Sequence, residues 1–178
     1  MRLFVGVVLP TEIKDELFKI QKNFPKNVAK INWIAKKRLH LTLKFLGEVD
    51  EDKLSGIVSA LNKVSFDSFE VSVGGVGTSL HNGVSSVIWA DILSKENVIN
   101  LQQRVDAELL SIFKFSQKFN PHLTLGRVKI LKNKDKFSKI IKEIKVQKKS
   151  FSIDEFCLMK SKLTKDGSKY EIISKFNT

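Results

Sequence analysis

Two rhythms of hydrophobic and polar residues take turns along the chain. Residues 2–8 hold the apolar run Leu3-Phe4-Val5-Gly6-Val7-Val8, too short for a packed helix and halted at Pro10, and predict a buried strand. From Thr11 the period changes: Ile13, Leu17, Ile20 and Phe24 trace one helical stripe, Glu12, Asp15 and Glu16 sit near the helix start where its dipole favours acids, and Pro25 ends it. Strand-like pieces at 31–34 and 38–46 precede a helix over about 50–63, with Leu54, Ile57, Val58 and Leu61 inward. Residues 68–79 and 84–92 then read as a hairpin through Asn82-Gly83, a pair that tolerates positive φ. Glu96 to Phe113 carries Val98, Leu101, Val105, Leu109 and Ile112 in helical register. A strand at 122–129, a lysine-rich helix with Phe137, Ile140, Ile141 and Ile144, a strand at about 149–160 and a hairpin near Asp166-Gly167 leading into Tyr170 to Ile173 complete the pattern. Hairpins interspersed with helices argue an α+β fold rather than a doubly wound parallel sheet.

Composition narrows this picture. With 178 residues and 42% hydrophobic content the chain suits one globular domain over 1–178. No stretch approaches the roughly 18 to 20 apolar residues of a membrane-spanning helix, and the N-terminal apolar run lacks the long core and cleavage site of a signal peptide. A cytoplasmic protein with no membrane partner is the resulting expectation. Cys157 is the one cysteine, so no internal disulfide and no thiolate metal cage can form, and a small buried filler is its simplest role. The net charge of +12 favours phosphate-bearing partners, although lysine-rich runs such as 132–136 and 142–149 also serve as solvated faces.

Candidate chemistry sits in one repeated tetrapeptide. His40-Leu41-Thr42-Leu43 and His122-Leu123-Thr124-Leu125 stand in separate halves, and strand alternation sorts each copy onto two faces. In the first, Arg38, His40, Thr42 and Lys44 share a polar face opposite Leu39, Leu41, Leu43 and Phe45; in the second, His122 and Thr124 oppose Leu123 and Leu125, and Gly126 leaves room. Two such strands facing each other offer two imidazoles and two hydroxyls to one phosphorus. One histidine, unprotonated, accepts a proton from the attacking oxygen, and the other, protonated, donates one to the departing oxygen. The threonines and nearby cations hold the non-bridging oxygens. That scheme needs no metal and no cofactor. A zinc site from His40, His81 and His122 leaves the threonines unexplained, and His81 reads as an exposed loop residue.

These paired motifs resemble the two H-x-T signatures of the 2H phosphoesterase superfamily. The opening Arg2-Leu3-Phe4-Val5-Gly6-Val7-Val8-Leu9-Pro10, Trp33, Phe45-Leu46-Gly47 and Gly126-Arg127 are similar to the RNA 2',3'-cyclic phosphodiesterases, also called 2'-5' RNA ligases. The resemblance implies a bilobal fold of two mainly antiparallel sheets with outer helices, intertwined lobes and pseudo-twofold symmetry around a basic central groove. It implies opening of a 2',3'-cyclic phosphate on an RNA end to a 2'-phosphate, with ligation as the reverse reaction. A monomer is the separate expectation for the assembly. By position His40 becomes the proton donor and His122 the proton acceptor, Thr42 and Thr124 hold the phosphate, and Arg127 contacts it. Strict alternation turns Arg127 away from the groove, so its role requires a strand end or a bulge at Gly126. Arg38 and Lys44 are further substrate-binding candidates on the same strand face. Two other readings keep part of this chemistry: a module that grips RNA ends without turnover, and an enzyme for 2'-5' oligonucleotides or a small cyclic nucleotide.

Overall fold

The computed structural model describes residues 1–81, 84–114, 118–164 and 167–178. The strand expected at the N-terminus is β1 (Arg2–Val8), followed by α1 (Thr11–Asn23), β2 (Ala29–Trp33), β3 (His40–Glu48), α2 (Leu54–Leu61), β4 (Phe69–His81), β5 (Val84–Leu93), α3 (Lys95–Glu108), β6 (His122–Leu131), α4 (Lys134–Glu143), β7 (Ser150–Ile153), β8 (Glu155–Thr164) and β9 (Gly167–Asn177). The strands form two wholly antiparallel sheets, one of four strands in the order β3-β1-β8-β9 and one of five in the order β2-β6-β5-β4-β7. The α+β fold is therefore bilobal, with the helices laid on the sheets. Among the described residues no helix is long and apolar enough to cross a membrane.

Each sheet contains the same unit. A strand leads into a helix, and a motif strand then returns antiparallel beside the first: β1, α1 and β3 in one sheet, β5, α3 and β6 in the other. The leucines of both motifs fill the core, where Leu41, Leu123 and Leu125 are fully buried and Leu43 nearly so. Ile13 and Leu17 of α1 and Val98, Leu101 and Val105 of α3 meet them there, as the 3.6-residue stripe requires. The side chain of Asn133 caps α4 by accepting from the Lys136 N–H at 2.9 Å.

Three expectations need correction. The helix expected to reach Phe113 ends at Glu108, where the chain tightens into turns that place the Ile112 N–H on the Leu109 carbonyl; the apolar stripe outlasts the helix because Leu109 is still buried. The strand expected over 149–160 breaks at Asp154 into β7, paired to β4, and β8, paired to β1, so the segment passes from one sheet to the other. Lys36 to Arg38 form a 3-10 turn rather than the start of β3. The hairpin turn at Asn82-Gly83, the side chain of His81 and the turn at Asp166 lie outside the described residues.

Candidate active site

β3 and β6 approach each other where the two sheets meet, and their motifs share one profile. Along β3, half-buried His40 and Thr42 flank buried Leu41; Leu43 and Lys44 are both buried, and Phe45 is exposed. Along β6, half-buried His122 and Thr124 flank buried Leu123; Leu125 and Gly126 are both buried, and Arg127 is exposed. The repeated pair of buried residues marks a β-bulge in each strand. In β3, Val5 pairs with Lys44 and Gly6 with Thr42, which leaves Leu43 extra; in β6, Ile88 pairs with Gly126 and Trp89 with Thr124, which leaves Leu125 extra.

The two bulges decide three side chains. Arg127 lies on the groove side, as its expected role required, with the bulge one residue before Gly126. Phe45, expected in the core, is 71% exposed at the groove. The expectation for Lys44 fails: the bulge inverts its face, and its ammonium pairs inside the protein with the Asp106 carboxylate of α3 and donates to the Lys114 carbonyl at 2.9 Å. Gln102 donates to the other Asp106 oxygen at 2.6 Å, so this buried charge pair is held from several sides.

At the position equivalent to Lys44 the second strand has Gly126, because the edge strand β2 lies against it. A Cβ there would fall 2.7 Å from the Trp33 ring and 2.9 Å from an Ile31 methyl. Gly126→Ala is expected to lower stability by about 1–3 kcal/mol and to weaken phosphate binding by displacing Arg127. Thermal unfolding and phosphate titration of the variant check both effects.

A cavity of about 250 Å³ opens between the lobes. It is lined by His40, Thr42 and Phe45 of β3, Thr124 and Arg127 of β6, and by Arg2, Phe4, Arg38, Ser161, Ser168 and Tyr170 among others. His122 is not one of its lining residues; it stands on the same face of β6 as Thr124, with Cα atoms about 6.5–7 Å apart. Arg38 lies at the end of its turn and donates to the Ser168 carbonyl at 2.9 Å. Sequence reasoning passed over Arg2, Phe4 and Tyr170. The signal available for Arg2 and Phe4 was their shared parity on β1, while Tyr170 reaches the site through the pairing of β8 with β9.

Both imidazoles are clamped alike. His40 Nδ1–H donates to the Arg38 carbonyl at 2.7 Å, and His122 Nδ1–H donates to the Asn120 carbonyl at 2.8 Å. A carbonyl can only accept, so each clamp puts the proton on Nδ1 and leaves Nε2 for chemistry. In neutral His40 the Thr42 hydroxyl donates to that Nε2, at 3.0 Å. The His40 ring is packed between Phe4 and Tyr170, with centroids 4.9 and 5.1 Å away, and His122 leans on Trp89 at 5.8 Å. Burial holds His40 below the usual imidazole range; the hydrogen bond to the Arg38 carbonyl opposes that shift, and the Lys14 ammonium adds slightly to it. Cys157 is inert by the same logic, its thiol pushed up to about 12 by burial. Among the described residues no group of three His, Cys, Asp or Glu side chains could hold a metal ion.

Two antiparallel sheets, a duplicated strand-helix-strand unit and a cationic cleft between motif strands are the frame in which the paired motifs sit. The model of the LigT-like phosphoesterases matches residues 7–89 and 92–170, one match for each half, and the chain belongs to that family. It is 35% identical over 178 residues to the RNA 2',3'-cyclic phosphodiesterase of Methanocaldococcus jannaschii, an alignment spanning 99% of this chain and 100% of that one. It is 32% identical to the enzyme of the same name from Thermotoga maritima, over 97% of this chain and 93% of that one. Among solved structures, a Thermus thermophilus protein superimposes with a TM-score of 0.79 at 25% identity, covering 99% of this chain and 97% of the other. Escherichia coli LigT in its apo form shares the fold, with a TM-score of 0.76 at 22% identity over 99% and 96% of the two chains.

Proposed function

We propose that this protein hydrolyses the 2',3'-cyclic phosphate at the end of an RNA to a 2'-phosphate, with His40 as general acid and His122 as general base. The observation that carries the reading is the identical clamp on both imidazoles, which presents Nε2 from two equivalent strands beside paired threonines. The full-length similarity to proteins named for this reaction supports it. So does a lining that, among the described residues, combines arginine and hydroxyl side chains with no carboxylate.

In the reaction, His122 Nε2 accepts a proton from water as its oxygen attacks phosphorus. The bond from phosphorus to the 3'-oxygen breaks, and His40 Nε2–H protonates that oxygen. Thr42, Thr124 and Arg127 hold the non-bridging oxygens, where charge accumulates in the transition state. Arg38 backs the wall beside His40. Residues 1–178 work as one unit in this account, because the cavity draws on side chains from Arg2 to Tyr170. Turnover of a cyclic-phosphate RNA in the presence of a chelator tests the reading; binding without turnover contradicts it and marks a module that only grips RNA ends.

His40 must carry a proton to act as the acid, yet burial favours its neutral form. The substrate anion resolves the conflict, since a negative phosphate beside Nε2 stabilises the imidazolium and couples protonation to binding. In the free protein His40 is expected to titrate below about pH 6.5, the ordinary histidine value, and to move upward when inorganic phosphate binds. NMR titration of the ring protons reads both values; an unmoved midpoint contradicts the coupling. The same depressed value makes neutral His40 stabilise the fold above its ordinary pKa, a contribution lost as pH falls through the folded-state value.

A further inference from the structure

Only four of the 31 lysine and arginine residues are arginine, and three of the four, Arg2, Arg38 and Arg127, line the cavity between the motif strands. Among the described residues no lysine, aspartate or glutamate lines it. A guanidinium presents a planar fork of N–H donors that matches phosphate oxygens, whereas an ammonium acts as a point charge, so the cavity concentrates phosphate-recognising cations. A cyclic phosphodiester carries a single negative charge. Three guanidiniums and a protonated imidazole exceed that demand.

Placement separates Arg2 from the reacting phosphorus. On β1, Gly6 is the cross-strand partner of Thr42, and Arg2 lies four residues further along, about 13 Å at the rise of a strand. Phe4 stands between them on the same face and packs beside His40. Across the sheet Arg2 pairs with Ser161, which also lines the cavity. Arg38 is partly engaged by the Ser168 carbonyl, and Arg127 stands on the opposite lobe beside Thr124. Among the described residues no carboxylate pairs with the Arg2 side chain, which is exposed and lines the cavity.

We infer that Arg2 forms a second phosphate subsite, which takes the internucleotide phosphate next to the reacting cyclic end. The inference rests on the phosphodiesterase reading and deepens it: the preferred substrate is an oligonucleotide with at least one further phosphate, and the mononucleoside cyclic phosphate lacks the group that Arg2 holds. The cavity, below the roughly 300–1,000 Å³ of ordinary small-molecule pockets, encloses the terminal group while the rest of the strand leaves past Arg2.

Steady-state hydrolysis of adenosine 2',3'-cyclic phosphate and of an adenosine dinucleotide with the same cyclic end, by wild type, Arg2→Ala and Arg2→Lys, tests the subsite. On the dinucleotide Arg2→Ala is expected to lose about 10- to 100-fold in kcat/KM, at least tenfold more than on the mononucleotide, with Arg2→Lys between. An uncharged methylphosphonate linkage should impose the same loss on wild type and leave Arg2→Ala nothing further to lose. Equal losses on both substrates, or none on either, overturn the subsite while leaving the phosphodiesterase reading in place. A wild type inert toward both substrates overturns the phosphodiesterase reading and the subsite together.

Discussion

Alanine in place of either His40 or His122 is expected to cut turnover of a cyclic-phosphate RNA by about 10²- to 10⁴-fold, the span attributed to a single general acid or base. The losses should not add in the double variant, because both imidazoles serve one transition state and removal of either partner idles the other. KM should move less than kcat, since the threonines and arginines supply most of the phosphate grip. His40 is half-buried and ringed by Phe4 and Tyr170, so part of its replacement cost falls on packing. Circular dichroism separates that cost from catalysis. His122 is the cleaner probe, with Trp89 as its aromatic neighbour. A variant that keeps near wild-type turnover contradicts the paired mechanism.

Lys44 carries the second large effect, on stability. Its side chain is 3% exposed and that of Asp106 is fully buried, so Lys44→Met strands a carboxylate away from water. Breaking such a pair costs about 3–5 kcal/mol, which for a chain of this size lowers the melting temperature by roughly 6–20 °C. The double replacement Lys44→Met with Asp106→Leu should recover much of the loss, because removing both charges leaves neither one unpaired. Differential scanning calorimetry of wild type, both single variants and the double variant completes the cycle. A single variant as stable as wild type removes the ion pair from any account of how β3 is held.

The contrast between Lys44 and the histidines shows how far alternation carries. Period 2 placed His40, Thr42, His122 and Thr124 on one face of their strands, and the leucines between them are in the core. It failed one step later. A bulge spends two residues against one, nothing in Leu43-Lys44 or Leu125-Gly126 announces it as a proline would, and the ion pair that accepts Lys44 lies 62 residues away on α3. The same blindness hid Tyr170, which reaches His40 only because β8 joins β1 to β9. Asp154 is another silent break, since only sheet pairing tells that β7 and β8 part there. The duplicated motif was legible because local geometry alone gives it meaning, and the resemblance supplied Arg127 and a basic groove; the place of Arg2 was not legible, because it joins Arg38 and Arg127 only after both sheets form.

End-group analysis of a short RNA bearing a 2',3'-cyclic phosphate, incubated with the protein and a chelator and resolved by mass and chromatography, tests the central claim most directly. Protonation of the 3'-oxygen by His40 predicts a single product, about 18 Da heavier than the substrate by one added water, with a 2'-phosphate and a free 3'-hydroxyl. A 3'-phosphate product, or a cyclic end left intact until metal is supplied, contradicts it.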